Sequence, residues 1–310
     1  MKTADFGHQS RLHYTRKRMV KYRSAYFMIT PFMVLFFVFT VAPVLISFAL
    51  SLTKYSVLED PVFVGLQNYR NLFVNDEIFP LAVKNTIIFA LITGVGGFAL
   101  SFFVAWAIND MNRYLRAILT FLFYVPTISG TVYTIWGVIF SGDIHGYANS
   151  LLMQLQLISE PIQWFTTDTW ILPMLIIVQL WMSMGVGFLS LRAGMSSVDP
   201  QLYEAGAIDG VRNRMQELWY ITIPQMAPHM MTAVVLQVTG MFANANVSIA
   251  LAGFPSTNYA GHLIMTHLLD YSSYRVERGY ASAIAVIMFI FMMTINLVIL
   301  RALRKVGDGE

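Results

Sequence analysis

The 310-residue chain contains no cysteine and unusually few charged residues. Without cysteine it has no disulfide framework, no thiolate metal site and no cysteine nucleophile. Only 12% of its residues are charged, whereas a soluble domain has about 25%. The chain also lacks a Gly-x-x-x-x-Gly-Lys-[Ser/Thr] sequence, the loop that cradles nucleotide phosphates. We therefore expect no catalytic residues, no metal site and no cofactor on this chain, and ATP-driven work would need a separate subunit.

Long apolar runs dominate what is present, and 56% of the residues are hydrophobic. A helix needs about 20 apolar residues to cross a bilayer. Six runs meet that length: 26–52, 84–108, 117–140, 170–191, 229–252 and 279–303. They predict an all-α polytopic membrane protein with six transmembrane helices, occupying residues 26–303 between a basic tail (1–25) and a short tail (304–310). The first run starts too late and is too long for a cleaved signal peptide, so we expect it to remain in the membrane.

The placement of lysine and arginine predicts the orientation. These residues are concentrated in the N-terminal tail, after the second run, around 192–214 and at the C-terminal end, whereas the 141–169 loop has none. Because cytoplasmic loops carry the excess of positive charge, both termini and the 197–224 loop are predicted to be cytoplasmic. The basic balance favours contact with membrane lipid headgroups and gives no reason to invoke nucleic acid.

The 197–224 loop carries strong local signals for helix. Asp199 is a good N-cap residue, and Pro200 suits the first helical position because its missing N–H is no loss there. Asp209-Gly210 is a turn signal, and a second helix is predicted from 212 to 220, ending before Pro224. Two short amphipathic helices between membrane spans indicate a docking element for a partner's groove; the alternative is a surface loop that happens to be helical.

This loop resembles the cytoplasmic EAA loop of binding-protein-dependent ABC importer permeases. The resemblance rests on Glu204-Ala205-Gly206, Gly210 and the ending Ile221-Thr222-Ile223-Pro224, with Gly206 in place of the family's second alanine and Ile223 in place of leucine. It implies that an ATPase docks on this loop. The coupling residues that it implies are Tyr203, Glu204, Ala205, Gly206, Asp209, Gly210 and Pro224.

Three further segments resemble the sugar-type permeases of the same family: the Gly-Leu-x-Asn-Tyr segment at 65–69, the exit from the third run at 136–140 and the Gly-Tyr-Ala-Ser-Ala entry to the last run at 279–283. The resemblance implies a type I ABC importer transmembrane domain in the cell membrane of a bacterium or archaeon. The partners that it implies are a second permease subunit, two ATP-binding subunits that hold ATP and Mg²⁺, and an extracellular solute-binding protein. The cargo that it implies is a sugar, oligosaccharide or polyol phosphate.

Two alternatives stay open. The aromatic residues of the external loops are also suited to anchoring at the membrane interface. An ATP-independent channel or carrier is the second functional reading, although ion-driven carriers usually keep ionisable residues inside the membrane and this chain has none near the middle of a run.

Uncharged polar and aromatic residues lie at similar depth in three runs, which suits a sugar whose hydroxyls need partners and whose ring packs on a π surface. Counting from Glu204 to the positions that line the pocket in related permeases implicates part of the same set. The substrate-binding candidates are Thr127, Thr131, Tyr133, Gln179, Met182, Ser183, Gly240 and Asn244. Interhelical hydrogen bonding is an equally good reading of each. By contrast, Gly94, Gly97, Ser101 and Ala105 predict a small-residue packing stripe on the second helix.

Overall fold

A computed structural model describes residues 21–56 and 59–307. Most of the predicted tail 1–25, and residues 308–310 of the predicted C-terminal tail, lie outside the described residues. The helices are α1 (Arg23–Phe36), α2 (Ala42–Leu50), α3 (Gln67–Arg70), α4 (Ile78–Asn109), α5 (Arg113–Ile128), α6 (Val132–Ile139), α7 (Tyr147–Gln154), α8 (Asp168–Trp181), α9 (Val186–Ser197), α10 (Pro200–Ile208), α11 (Arg214–Glu217), α12 (Ile223–Phe242), α13 (Asn246–Ala252), α14 (Ile264–Leu269) and α15 (Arg278–Gly307). Strands β1 (Thr53–Lys54) and β2 (Val62–Phe63) form one antiparallel pair. The prediction of an all-α fold is therefore confirmed, with this small hairpin as an addition.

Among the described residues, three helical segments are long and apolar enough to cross a membrane: Arg23–Leu50, Ile78–Asn109 and Arg278–Arg301. Two further crossings are bent pairs, in which α5 and α6 meet at 89° and the helix ending at Phe242 meets α13 at 45°. The shorter apolar helix α8 falls on the remaining predicted run. Each of the six apolar runs thus lies on helix.

The structure interrupts three of the six runs, and it confirms the bend that Pro126 predicts in the third run, because proline removes a backbone hydrogen bond there. The 117–140 run bends sharply at residues 129–131, the 170–191 run is broken at 182–185, and the 229–252 run is broken at 243–245. Pro126, which cannot donate a backbone hydrogen bond, precedes the first interruption, and small residues lie in all three. Apolar length therefore predicts where the chain enters the membrane but not where its helices break.

Helix α4 is the central element of the bundle. Its 32 residues span about 48 Å, and it packs against α8, α9 and α12. Gly94, Gly97, Ser101 and Ala105 are all buried on one face of this helix, which confirms the predicted packing stripe. The two ends of α4 define the two ends of the bundle, here called the Asp76 end and the Asn109 end.

The first helix packs on little of this bundle. No residue of α1 is buried, and its large apolar side chains are exposed along its whole length. The helix α2 that continues it packs against α15. In a membrane this face is compatible with lipid, where apolar exposure carries no hydrophobic cost.

The loop after α6 is organised around one buried asparagine. The Asn149 side-chain amide donates to the backbone oxygens of Ser141 and Ile162 at 3.1 Å, and its oxygen accepts from the Trp164 indole N–H at 3.0 Å. Asn149 is fully buried by these contacts. A single amide thus folds the 141–169 loop into a compact unit without a separate hydrophobic domain.

A buried polar chain closes the Asp76 end. His262 Nε2 lies 3.2 Å from His267 Nδ1, and His267 Nε2 lies 3.0 Å from Asp76 Oδ2. The same carboxylate oxygen accepts the Tyr280 hydroxyl at 2.8 Å, and the other oxygen caps the start of α4 by accepting from the backbone of Phe79. The chain therefore joins α4, the segment before α15 and α15 itself.

The ionisation of these groups follows from their burial. Burial lowers the pKa of His262 to about 4, helped by repulsion from His267, and burial also lowers the pKa of His267 despite the attraction of Asp76. Burial alone would raise the pKa of Asp76, but the hydrogen bonds from Tyr280, from the Phe79 backbone and from His267 outweigh it and lower that pKa. At neutral pH both imidazoles are therefore neutral, each donating from Nε2, and Asp76 is an ionised acceptor. The His267–Asp76 contact is accordingly a hydrogen bond to a carboxylate rather than an ion pair.

We expect this chain to make the fold sensitive to acid. A histidine whose pKa is lowered by folding binds fewer protons in the folded than in the unfolded state, so stability falls as the pH drops from about 6.5 towards about 4. For His262 alone the loss between pH 7.5 and pH 5.0 is about 2 kcal/mol, or roughly 3 °C in the unfolding midpoint. Thermal unfolding of the purified protein in detergent at both pH values measures it. His262→Gln should shrink the difference between the two midpoints, and His145→Gln, at an exposed histidine, should leave it at the wild-type value; equal differences in both variants would contradict the assignment.

Candidate functional site

The three helix interruptions lie against one another in the middle of the bundle. The hypothetical Cβ of Gly185, in the 182–185 break, would lie 3.6 Å from a methyl carbon of Thr127, next to the first interruption. The 182–185 and 243–245 breaks are joined by the Asn244 amide, which donates to Gln179 Oε1 at 2.9 Å. Helices α6 and α13 also pack on each other. Broken helices within a membrane occur where backbone is buried in protein or lines a polar cavity.

The Gln179–Asn244 pair lies at the centre of this region. Gln179 is 4% exposed, whereas Asn244 is half-buried, and the Tyr133 hydroxyl faces the Asn244 side chain. The hydrogen bond uses one donor of Asn244 and one acceptor of Gln179, which leaves the Gln179 amide N–H groups without a protein partner among the described residues. The pair therefore combines an interhelical bond with remaining capacity to bind a polar ligand.

The other predicted substrate-binding residues differ in their surroundings. Ser183 is 2% exposed, and its hydroxyl donates to the Leu180 carbonyl at 2.6 Å. The hydroxyl therefore has its hydrogen-bond acceptor three residues earlier in the same segment. The Thr127 hydroxyl likewise donates to Tyr124 O at 2.7 Å. Thr131 and Gly240 are exposed, and Met182 is half-buried beside the cluster around Phe89. Among these candidates, Thr131 and Gly240 are thus exposed, whereas the Thr127 and Ser183 hydroxyls donate to backbone carbonyls.

Gln237 is a site residue that the candidate set misses. Its side-chain amide donates to the Ser183 backbone oxygen at 2.9 Å, and the Ser101 hydroxyl approaches the same oxygen at 3.5 Å. The break after Trp181 removes the helical hydrogen bond of this carbonyl, and the Gly185 backbone N–H donates to it at 2.9 Å from within the break. An unpaired carbonyl in a membrane costs several kcal/mol, so Gln237 and Ser101 add to the Gly185 contact in stabilising the break. The sequence signal that could have identified Gln237 is an amide residue within an apolar run, which can face the small-residue stripe that contains Gly97.

Two tryptophans border the region on its other side. The rings of Trp136 and Trp181 meet edge to face with centroids 5.9 Å apart, and Trp181 is exposed. Trp136 also stacks on Phe140 at 5.6 Å. Aromatic faces beside free amide groups are the surfaces that carbohydrate rings and hydroxyls match. Trp136 lies outside the candidate set because the sequence places it at the exit of the third run.

The loop at the Asn109 end begins as predicted. The Asp199 side chain caps α10 by accepting from the Gln201 backbone N–H at 2.9 Å, and Pro200 occupies the first turn. The Tyr203 hydroxyl lies 2.9 Å from the Thr222 hydroxyl, so α10 is tied to the chain that enters α12. Helix α10 is thus a short, capped rod attached to the bundle by its inner face.

The outer face of α10 and its C-terminal turn carry most of the predicted coupling residues. Glu204, Ala205, Asp209 and Gly210 are exposed there, and Pro224 is exposed at the start of α12. Tyr203 and Gly206 are half-buried against the bundle. Ile208, which the sequence analysis does not select, is 87% exposed between them. An exposed isoleucine in a polar loop marks a surface that a partner can cover.

Gly206 and Gly210 are constrained in different ways. A Cβ at residue 206 would lie 2.6 Å from Cδ1 at the end of the Ile221 side chain, so the family's alanine would fit here only after that side chain shifts. Gly210 has a φ of +94°, in the left-handed region that favours glycine, and nothing lies within 4 Å of a Cβ there. Backbone conformation therefore favours glycine at residue 210, whereas at residue 206 the limit is the position of one flexible side chain.

The prediction of a second short helix that ends before Pro224 is wrong. Helix α11 covers only Arg214–Glu217 and continues through a π-helical turn, Leu218–Thr222, directly into α12. The wider turn bonds Ile223 N to Leu218 O, five residues back, and so accommodates Pro224 without a helix end. The loop is consequently one short helix followed by the long bent helix, not two short helices.

Comparisons with known proteins agree with this architecture. Residues 97–307 match the family described as "Binding-protein-dependent transport system inner membrane component". The chain is 31% identical to the "Probable ABC transporter permease protein YesP" of Bacillus subtilis (strain 168), over 90% of this chain and 89% of that protein. It is 27% identical to the "Arabinooligosaccharides transport system permease protein AraP" of the same organism, over 91% and 88% of the two chains.

A solved structure shares the fold. It is a bacterial ABC transporter involved in the import of the acidic polysaccharide alginate, and the match has a TM-score of 0.77 at 22% identity. It covers 94% of this chain and 99% of that chain. The type I ABC importer transmembrane fold implied by the sequence resemblance is thereby confirmed.

We expect Gly97 to tolerate no side chain, because the break at 182–185 packs directly on it. A Cβ there would lie 2.7 Å from both Gln237 Nε2 and Ser183 Cβ. Gly97→Ala should therefore lower stability by about 1–3 kcal/mol through overpacking, despite the higher helix propensity of alanine. The matched control is Gly137→Ala, also within a helix, with nothing within 4 Å of its Cβ. Thermal unfolding of both variants in detergent tests this, and a midpoint for Gly97→Ala at or above that of Gly137→Ala would contradict it.

Proposed function

The chain belongs to the family of binding-protein-dependent transport system inner membrane components, and on that basis we propose that it forms one half of the path by which an ATP-driven importer moves a sugar or oligosaccharide. A second permease subunit, of a different sequence, forms the other half. A pair of separate ATPase subunits binds ATP and Mg²⁺ and supplies the energy, so this chain is a transport subunit without enzymatic activity of its own. Transport into the cell is the direction that this family description supports.

The observation that carries the proposal is the meeting of three helix interruptions around Gln179 and Asn244. Uncharged amides and hydroxyls bind the hydroxyl groups of a sugar without requiring charge on it. The neighbouring Trp136 and Trp181 offer aromatic faces for the sugar ring. The names of relatives in this family, which include permeases for arabinooligosaccharides and galactooligosaccharides, favour the same class of cargo.

The proposed route of energy coupling runs through α10. Its exposed face, which includes Glu204 and Ile208, docks in a groove of the ATPase, while Tyr203 holds the helix to the chain entering α12. The chain leads from α9 into α10 and from there to α12, and these two flanking helices end at two of the three breaks. Movement of α10 is thereby transmitted to the proposed substrate site.

The orientation that this proposal requires places the Asn109 end and both termini in the cytoplasm, in the inner or cell membrane of a bacterium or archaeon. The Asp76 end and the 141–169 loop then face the solute-binding protein. The folded state of that loop, held by Asn149, provides a preformed surface for such a partner. Association with a preformed surface avoids the entropy loss of ordering a flexible loop.

We expect Gln179→Ala and Asn244→Ala to weaken transport affinity with little change in protein abundance. Each removes one or two hydrogen bonds worth about 0.5–1.5 kcal/mol, so half-saturation for uptake should rise roughly 2–10-fold. Gln237→Ala is the contrasting variant, because Gln237 satisfies the Ser183 carbonyl and its loss should lower membrane abundance instead. Uptake against substrate concentration, with the amount of protein in the membrane measured in parallel, separates the two. Unchanged half-saturation in both Gln179→Ala and Asn244→Ala would remove them as ligands.

We expect Gly210→Val and Glu204→Lys to disconnect the chain from its ATPase while leaving it inserted. The first forces a β-branched residue into a left-handed conformation, and the second reverses a charge on the proposed docking face. The measurement is co-purification of the ATPase with the permease, together with substrate-stimulated ATP hydrolysis. Gly65→Val is the control, because Gly65 also has a positive φ (+60°) and open space around it but lies towards the Asp76 end. Normal co-purification and hydrolysis with both loop variants would refute docking at α10.

A further inference from the structure

A pocket beside the start of α5 holds three arginines and no acidic residue. Arg113, Arg116 and Arg192 line one side, and the rest of the lining consists of the side chains of Ala117, Thr120, Phe121, Tyr124 and Leu189. The pocket has a volume of about 400 Å³ and lies at the Asn109 end of the bundle. Its lining includes neither Gln179 nor any residue of α10, although Tyr124 and Leu189 lie one turn from Thr127 and Gly185.

Two of the arginines are held close together by a single residue. Arg116 Nη1 donates to the Asn109 backbone oxygen at 2.9 Å, and Arg192 Nη1 donates to the Asn109 side-chain oxygen at 3.1 Å. Arg192 also reaches the Ser196 hydroxyl at 3.4 Å. These partners are all neutral, so they orient the guanidinium groups without balancing their charge.

No carboxylate of the described residues pairs with these arginines. The nearby Asp110 forms an ion pair with Arg214 instead. The Arg192 Nε atom is buried and has no hydrogen-bond partner, the one such side-chain atom within residues 21–56 and 59–307. A buried N–H of a charged group without a partner costs more than a neutral one, and two neighbouring guanidinium groups repel each other. The Arg116 and Arg192 charges are therefore unbalanced within the described residues, and an anion with several acceptor oxygens would balance them.

The apolar part of the lining distinguishes a lipid from a free anion. Arg113, Ala117, Phe121 and Tyr124 recur at helical spacing along one face of α5, over about 16 Å. Phe121 is exposed, as are its apolar neighbours Ile118 and Leu122. An inorganic anion would contact only the arginines. A phospholipid would contact both the arginines, through its phosphate, and the apolar lining, through an acyl chain along Phe121.

We propose that this pocket binds the phosphate headgroup of an anionic phospholipid, with Arg116 and Arg192 as the headgroup ligands and the α5 face as the acyl-chain contact. The proposal depends on the proposed function only for the assignment of the Asn109 end to the cytoplasmic leaflet. Because Arg192 lies on α9, between the 182–185 break and α10, a bound lipid would brace the helix that links the coupling loop to the substrate region. Lipid composition would then influence transport through this chain.

The test is native mass spectrometry of the purified transporter complex, titrated with phosphatidylglycerol or with phosphatidylcholine of the same acyl chains. The wild type should retain phosphatidylglycerol at least about tenfold more tightly than phosphatidylcholine, since charge-assisted hydrogen bonds exceed neutral ones. Arg192→Gln and Arg116→Gln should each lose most of that preference. Arg23→Gln removes one charge from an exposed arginine near the start of α1 and should keep it. If an arginine variant yields no intact complex, Arg192→Lys, which keeps the charge but loses the planar fork, should give an intermediate preference.

Three results would overturn the proposal. Equal retention of the two lipids by the wild type would exclude headgroup recognition. Displacement of phosphatidylglycerol by millimolar inorganic phosphate would identify a simple anion site. Retention of the lipid by the permease pair alone, but not by the complex with its ATPase, would show that ATPase carboxylates are the counter-ions. A failure of α10 docking in the coupling experiment would leave these lipid measurements unaffected, so the two proposals fail independently.

Discussion

The structure depends on one constraint, which is that a carbonyl freed within the membrane must find a hydrogen-bond donor in the protein. The break at 182–185 removes the helical hydrogen bond of the Ser183 backbone oxygen, which instead accepts from the Gly185 N–H and from the Gln237 side chain, with support from Ser101. Gln237 can reach that oxygen because Gly97 has no side chain in the way. Removing the Gln237 amide or placing a side chain at residue 97 would therefore destabilise the break beside Gln179.

The two breaks and helix α10 follow one another along the chain, connected by α9 on one side and by α12 on the other. From the 182–185 break, α9 leads over 12 residues to Ser197, and α10 follows after two more. On the return path, the hydroxyl contact between Tyr203 and Thr222 fixes α10 to the π-helical turn, and α12 leads back over 20 residues to the next break. Packed helices transmit displacement because close-packed interiors do not compress. In the proposed coupling, a movement of α10 would therefore reach the 182–185 break, which follows Gln179, and the 243–245 break, which contains Asn244.

Much of this could be predicted from the sequence, because the membrane imposes a length rule and the loop has local capping chemistry. The six apolar runs, the cap at Asp199 and the small-residue stripe all follow from residues close together in the chain. What could not be predicted depends on partners distant in sequence, such as Asn244 with Gln179, 65 residues away, and His267 with Asp76, 191 residues away. The sequence also did not predict that the helix continues through Pro224. A π-helical turn has no hydrophobic period of its own by which it could be recognised. For the candidate site, the sequence predicts which polar residues lie at a common depth. It does not predict which hydroxyls donate to backbone carbonyls, as those of Thr127 and Ser183 do.

The two ends of the bundle differ in how far their polar groups are satisfied, and this difference bears on their roles. At the Asp76 end the carboxylate accepts hydrogen bonds from Tyr280, from His267 and from the α4 backbone. Both of its oxygens therefore have hydrogen-bond donors within the chain. At the Asn109 end Arg116 and Arg192 have only neutral partners, and Ile208 is exposed nearby in the loop. The Asp76 carboxylate therefore gains little from a further polar partner, whereas Arg116 and Arg192 gain from an anionic one. The Asp76 end instead exposes large apolar side chains, among them Phe63 and Phe73, so the two ends offer partners different kinds of interaction.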